Sequence, residues 1–316
     1  MKAIVQNAYG SLDALSFKEV DRPEIKDNEI LLRVVATSIN AGDCFSWNGS
    51  PWLARLSVGF PKPKDYILGW DAAGIVEAVG KSVIRFHPGD EVFGACSRTF
   101  AEYEGADSTL FAIKPGNLTF EHAAAVPTAG LTALQGLRDA GKLQAGQKVL
   151  VNGASGGVGT FAVQIAKALG AEVTGVCSTR NVEMILSLGA DHVIDYTKED
   201  FTKNGQSYDL ILDNVANRSF SDLRRALTPQ GKIIPNSGYG GMGYVFKAIL
   251  LSPFMRQQGS MYVTRSNNND LVILMELIEN GKIKPIIDRS YSFSEIPEAL
   301  AYVGEGHARG KVVISV

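Results

Sequence analysis

Cysteine is scarce in this sequence: Cys44, Cys96 and Cys177 are too few and too scattered to build a disulfide framework. Long apolar runs are missing too. The longest, such as "YVFKAILL", fall well short of the ~20 residues that cross a bilayer, so no membrane span is expected. Charge of one sign does not accumulate, because 31 basic and 33 acidic residues are interspersed. That leaves no basic field to attract nucleic acid. The four histidines, His87, His122, His192 and His307, lie far apart, and none has a partner at helix or loop spacing. The opening "MKAIVQNAYG" has neither the apolar core of a signal peptide nor the Arg-rich pattern of a transit peptide, so the expected location is the cytoplasm.

What the chain does contain is an ordinary globular composition, 45% hydrophobic and 20% charged, over 316 residues. That length suits two domains, each with its own core. The first third is β-rich: "KAIVQ", "ILLRVVAT", "AAGIVEAVG" and "DEVFGAC" are short β-branched runs punctuated by Gly, Pro, Asp and Asn. From about Gln147 the pattern changes. The runs "KVLVN", "AEVTGVC", "HVIDY", "YDLILD" and "GKIIPN" alternate with helical segments such as "VGTFAVQIAKALG" and "NVEMILSLG". Near-continuous apolar strands joined by helices predict a parallel sheet covered on both faces. After the helical "NNDLVILMELIENGK", the tail "KPIIDRSYSF" and "GKVVISV" returns to strand character. The expected arrangement is an α/β domain over 123–280, inserted between two pieces of a β-rich domain, 1–122 and 281–316.

In "GASGGVG" a fingerprint aligns as Ala154-x-Gly156-x-x-Gly159, one Gly-to-Ala departure from G-x-G-x-x-G. It follows a strand and opens a helix, the context a dinucleotide-binding turn requires. Gly156 would admit a pyrophosphate to the backbone, Gly159 would let helix and strand pack closely, and the helix N-terminus would attract the anion. An NAD site would then place Asp or Glu at the end of the second strand, to bind the ribose 2′-hydroxyl. Here that strand ends in Cys177-Ser178-Thr179-Arg180, and the first carboxylate is Glu183. A carboxylate would repel a 2′-phosphate, whereas a hydroxyl and a guanidinium donate to it. The expected cofactor is NADP(H).

These residues resemble the medium-chain dehydrogenase/reductase superfamily, and within it the quinone oxidoreductase and enone reductase branch. The resemblance is essentially full length. It is carried by "ATSINAGD" (36–43), "LGWDAAGIVEAVG" (68–80), "HPGDEVFG" (87–94), "VPTAGLTALQGL" (126–137), "NGASGGVG" (152–159), "LGADHVIDY" (188–196) and "GHARGKVVI" (306–314). It implies an α/β fold in which a doubly wound Rossmann domain is inserted in a GroES-like β-rich domain, with dimers common. Zinc enzymes of this family carry a Cys, a His-Glu pair and a further Cys in the catalytic cleft. The matching residues here are Asn40, Trp70-Asp71 and Ala129, which offer no imidazole or thiolate, so no metal site is expected.

The resemblance also implies pyrophosphate contacts from Ser155, Gly157 and Val158, beside the Gly156 of the fingerprint, with Ser178, Arg180 and Tyr196 around the 2′-phosphate. Tyr196 has an alternative role as a loop-capping aromatic. Asn214 sits where the fourth strand meets the cofactor, Ser237 and Gly238 approach the nicotinamide side, and Thr128 lies near the nicotinamide. His307, Ala308 and Arg309 resemble a segment that reaches back to the cofactor in the reticulon-interacting relatives, and Lys311 is read as structural.

Hydride transfer belongs to the cofactor, so the protein must position an electrophilic carbon and exclude water. Asn40 either stabilises charge developing on a carbonyl oxygen, orients the nicotinamide, or satisfies local backbone groups. The proton for the α-carbon comes from Tyr239 or from solvent. Asp43, Trp47 and Trp70 are assigned to the substrate cleft, with a helix cap as the alternative for Asp43 and core packing for the tryptophans, Trp52 among them. The expected function is NADPH-dependent, metal-free reduction of small electrophiles, either quinones or α,β-unsaturated carbonyls. The alternative is an NADPH-binding scaffold or regulatory protein with little turnover.

Overall fold

Eleven residues with alternating burial, Glu29–Ile39, form the longest strand, and its last four residues are buried on both faces. That strand is β3 of a fold described in a computed structural model over residues 1–49, 55, 59–63, 66–236, 258–259 and 262–316. In the β-rich part the strands are β1 (Lys2–Gln6), β2 (Leu15–Glu19), β3, β4 (Asp71–Val79), β5 (Glu91–Ala95), β6 (Tyr103–Asp107) and β7 (Phe111–Ile113). The alternating part supplies β8 (Lys148–Asn152), β9 (Glu172–Cys177), β10 (His192–Asp195), β11 (Tyr208–Asp213), β12 (Leu227–Pro235) and β13 (Gln258–Gly259). The tail adds β14 (Ile287–Ser292) and β15 (Lys311–Ser315). The helices that matter below are α1 (Ala41–Asn48), α2 (Pro127–Gln135), α3 (Gly157–Ala168), α4 (Val182–Ser187), α5 (Asn268–Glu279) and α6 (Ile296–Gly304).

The described chain divides into two compact units, residues 1–131, 266–280 and 285–316 in the first, and 132–265 with 281–284 in the second. The first unit holds a seven-stranded sheet in the order β14-β15-β3-β4-β5-β7, with β6 also paired to β3, beside a β1-β2 ribbon. As expected, the tail returns to this unit: β15 pairs antiparallel with β3. Its core is built from the inward positions of the sheet, among them Leu32, Val34, Ala72, Val92 and Phe111. The second unit is a six-stranded sheet in the order β10-β9-β8-β11-β12-β13, parallel at every pairing. This is the doubly wound Rossmann order, whose direction reverses between β8 and β11. Ligands of such sheets bind outside the carboxyl ends of the strands at that reversal.

Two segments expected in the inserted domain group with the first unit. Residues 123–131 do so because the start of α2 is tied to β4, where the Thr128 N–H donates to Asp71 Oδ1 at 2.8 Å. Residues 266–280 do so because Asn268 Nδ2 donates to the Phe111 carbonyl at 2.5 Å. In the same unit, Leu274 of α5 packs against Gly130. Conversely, Gln164 of α3 bonds both backbone groups of Lys284, which draws 281–284 into the second unit. Among the described residues no helix is long and apolar enough to cross a membrane.

Candidate functional site

In the second unit, β8 leads into Gly153, whose φ of 76° is left-handed. Gly153 makes the tight turn, so Ala154 at the first fingerprint position needs no such freedom and is fully buried. A Cβ at Gly159 would fall 2.1 Å from the Gly153 carbonyl oxygen and 2.7 Å from the Ala154 backbone, which explains why the helix must approach the strand through a glycine. At Gly156 the surroundings are open: a Cβ there would meet only the Gly153 oxygen, at 3.7 Å. Gly156 is also the N-cap of α3 and provides no side-chain cap. The first helical amides and the positive end of the helix dipole therefore face an open cradle suited to a phosphate.

The ends of the neighbouring strands complete this half. Asn152 of β8 donates through Nδ2 to Asp213 Oδ1 of β11 at 2.8 Å, across the reversal of strand order. The same Asp213 oxygen accepts the Val215 and Ala216 N–H groups at 3.2 and 3.0 Å and shapes the loop that carries Asn214. Asn214 Oδ1 accepts from Asn236 Nδ2 at 2.7 Å, while Asn214 Nδ2 is buried without a partner. A buried donor of this kind calls for an acceptor that a bound ligand can supply. Asn181, at the start of α4, was not foreseen. Its Nδ2 donates to Ser155 Oγ at 3.0 Å and Ser178 Oγ at 3.3 Å, joining the glycine turn to the end of β9.

Arg180 is exposed, and Tyr196 is 50% exposed. The Tyr196 N–H bonds the Cys177 carbonyl at 3.0 Å. One acid does stand close by, on the adjacent strand: Asp195 accepts from Thr179 Oγ1 at 2.5 Å and pairs with Lys198 at 3.2 Å. The Thr179 and Thr197 hydroxyls lead the interactions that hold its carboxyl well below the usual range. Its acceptor capacity is spent on these neighbours, and Lys198 offsets its charge. The turn, the uncapped helix, the unpartnered Asn214 amide and the hydroxyl–guanidinium end of β9 all fit a phosphorylated dinucleotide.

In the first unit, the sheet register assembles a separate polar cluster. Asp71 lies opposite Ser38 in the β3–β4 pairing, and Lys311 lies next to the Val312–Ile39 pair of β15 and β3. Both flank the end of β3 where Asn40 begins α1. Asp71 is fully buried and accepts from Ser38 Oγ at 2.7 Å, Asn40 Nδ2 at 2.9 Å and Lys311 Nζ at 3.1 Å through Oδ2. Its Oδ1 caps α2 through Thr128. Lys311, 3% exposed, donates to the Ile39 carbonyl at 3.3 Å and also to Asn40 Oδ1. The tertiary structure therefore brings together Asn40, Asp71 and the Thr128–Ala129 turn, and adds an ammonium.

Asp43, expected in the substrate cleft, is instead fully buried and closes the first turn of α1. Its Oδ2 accepts the Asn40 N–H at 2.8 Å, and the Asp43 N–H returns to the Asn40 carbonyl at 3.0 Å. Its other oxygen has no partner, and burial pushes the carboxyl up to about 7. Trp47 is likewise in packing rather than in a cleft. It lies against the core that includes Ile4 and Leu300, with its indole N–H on the Ser11 carbonyl at 3.2 Å. Trp70 is 38% exposed and lines a shallow surface depression together with Gln6, Ser46 and Arg98. Its ring covers Gly42, where a Cβ would come within 2.1 Å of the indole. His307, Ala308 and Arg309 lie in the first unit between α6 and β15, with the Arg309 N–H on Asp288 Oδ2 at 3.0 Å. Ser237, Gly238, Tyr239 and Trp52 lie outside the described residues.

Known proteins resemble this chain along its whole length. Residues 26–136 match the alcohol dehydrogenase GroES-like domain, and residues 188–314 match a family described as zinc-binding dehydrogenase. The chain is similar to a 2-methylene-furan-3-one reductase of Solanum lycopersicum, 34% identical, with 99% of this chain and 79% of the relative aligned. An NADPH-dependent alkenal/one oxidoreductase, chloroplastic, of Arabidopsis thaliana is 33% identical over the same shares. The solved quinone oxidoreductase of Coxiella burnetii matches with a TM-score of 0.88 at 31% identity, covering 100% of this chain and 99% of that one. With the Rossmann turn and the GroES-like sheet both in place and the likeness running end to end, the chain belongs to the medium-chain dehydrogenase/reductase family, alongside its quinone oxidoreductases and alkenal/one reductases.

Proposed function

We propose that this protein reduces quinones or α,β-unsaturated carbonyl compounds with NADPH and without a metal ion. The observation that carries this reading is the end of β9, where Ser178 and the exposed Arg180 stand in the place of the carboxylate that selects NAD. The names of the relatives, an NADPH-dependent alkenal/one oxidoreductase among them, support the same cofactor and substrate class. When bound, NADPH supplies a hydride for an electrophilic carbon.

The chain's own residues bind and orient. The amides around Ser155 to Val158 hold the pyrophosphate at the start of α3, Ser178, Arg180 and Tyr196 hold the 2′-phosphate, and Asn214 Nδ2 gains its missing acceptor. As an enone is reduced at its β-carbon, negative charge grows on its carbonyl oxygen, and Asn40 Nδ2 donates to that oxygen. Metal independence is supported by what fills the positions of the Cys, the His-Glu pair and the further Cys: the Asn40 amide, the Trp70 indole beside an Asp71 carboxylate already bound by the Lys311 ammonium, and the methyl group of Ala129. A cytoplasmic location and a homodimeric state belong to the same proposal, and fractionation and sedimentation check them.

Steady-state oxidation of NADPH and NADH against paired enones and quinones, with and without a chelator, tests the reading. Turnover selective for NADPH and insensitive to chelation is the expected result. Tight NADPH binding without turnover on any electrophile would leave a scaffold.

A further inference from the structure

We infer that Lys311 is a positioning residue for Asn40, setting its amide so that one Nδ2–H is presented to the substrate carbonyl oxygen. The inference rests on the reading of Asn40 as the donor in enone reduction. An asparagine amide has two orientations that differ only by exchange of oxygen and nitrogen, and its neighbours decide between them. Here both neighbours are charged and agree. Lys311 Nζ has hydrogens only to give, so the one Asn40 side-chain atom it can donate to is Oδ1. Asp71 Oδ2, 2.9 Å away, takes only Nδ2. Flipping the amide would set its NH2 against an ammonium and its oxygen against a carboxylate at once.

The ammonium itself is held from three directions, by the Ile39 carbonyl, Asn40 Oδ1 and Asp71 Oδ2, at a residue 3% exposed. A cation so tightly committed has nothing left to offer a ligand, and its influence reaches the reaction through Asn40. Of the two Nδ2 hydrogens, Asp71 takes one. The other remains on a half-buried side chain at the N-terminus of α1, next to the Asp71-capped turn of α2. In zinc-bearing relatives a metal ion polarises the substrate oxygen. In this chain a lysine stands among the same positions and polarises an amide, whose N–H becomes the better donor.

The experiment is a double-mutant cycle on the full chain with NADPH and 3-buten-2-one. Asn40→Ala should lower kcat about 100-fold, the effect of losing one preorganised oxyanion donor. Lys311→Met should lower kcat comparably, with NADPH affinity held within about twofold and KM changed less than kcat. The double variant should be no slower than the slower single variant, because both changes remove the same N–H. Lys311→Gln, whose NH2 still donates to Asn40 Oδ1, should recover part of kcat, and it carries the cycle if Lys311→Met fails to bind NADPH.

Multiplicative losses in the double variant, or unchanged kcat in Lys311→Met, would overturn the positioning role while leaving Asn40 as donor. Unchanged kcat in Asn40→Ala would overturn both assignments but not the reductase. Absence of turnover in the wild type would overturn all three.

Discussion

Glu104 is the residue whose replacement should change stability most sharply with pH. It sits on β6 directly opposite Leu32 of β3, at an inward position of the strand, and is 3% exposed. Its Oε2 has no hydrogen-bond partner. Burial pushes the carboxyl from its ordinary 4.5 up to about 8, the charge of Arg98 opposing the rise and that of Glu29 adding to it. The folded chain therefore holds a proton that the unfolded chain releases near 4.5, and its stability falls as pH rises from there through about 8. At about 1.4 kcal/mol per pKa unit, the loss between pH 5 and pH 9 is roughly 4 kcal/mol, an upper figure because a charged interior relaxes.

Glu104→Gln removes this titration. Its buried amide costs about 1–3 kcal/mol where it is unpaired, but equally at every pH, so the change in the difference between variant and wild type isolates the carboxyl. All three tryptophans precede residue 131, and Trp47 and Trp70 belong to the unit that contains Glu104, so urea unfolding followed by tryptophan fluorescence reports on the right unit. The variant should gain on the wild type steadily from pH 5 to 9. Parallel stability curves for the two proteins would show that Glu104 ionises freely where it stands, and the burial argument would be wrong.

Other outcomes follow from the nucleotide half. Gly159→Ala forces a Cβ to within 2.1 Å of the Gly153 oxygen, so the turn must open; NADPH binding should be lost and stability reduced by about 1–3 kcal/mol, read by fluorescence titration and calorimetry. Arg180→Ala should weaken NADPH about tenfold or more and leave NADH nearly untouched, since only the 2′-phosphate loses a charged donor. An unchanged NADPH/NADH ratio would remove Arg180 from the phosphate site. In Asn181→Ala the link between Ser155 and Ser178 disappears, so the affinity for both nucleotides should drop severalfold. If Asn181→Ala binds as the wild type does, that link has no part in organising the site.

Local pattern was enough for much of this protein. Strands β8 to β12 were legible because a parallel sheet buried on both faces needs unbroken apolar runs, and the glycine turn because backbone approach and tight packing tolerate few residues. The cofactor, too, was readable from one strand end, since the acid that would repel a phosphate is absent from the four residues that matter. Asp43 and Trp47 were misplaced because polarity and aromaticity alone do not say whether a side chain faces a cleft or a cap and a core.

Two structural features depended on groups that only the tertiary structure brings together. Lys311 meets Asp71 across 240 residues, and only the antiparallel registers of β3 with β4 and β15 bring an ammonium, a carboxylate and an amide to one strand end. Asn181 bridges two serines that no spacing rule pairs. A sequence records which groups can donate, accept or carry charge, whereas hydrogen bonds form only where folding has removed water and fixed direction. The fold and cofactor could therefore be read from one chain segment at a time, and the polar network around Asn40 could not.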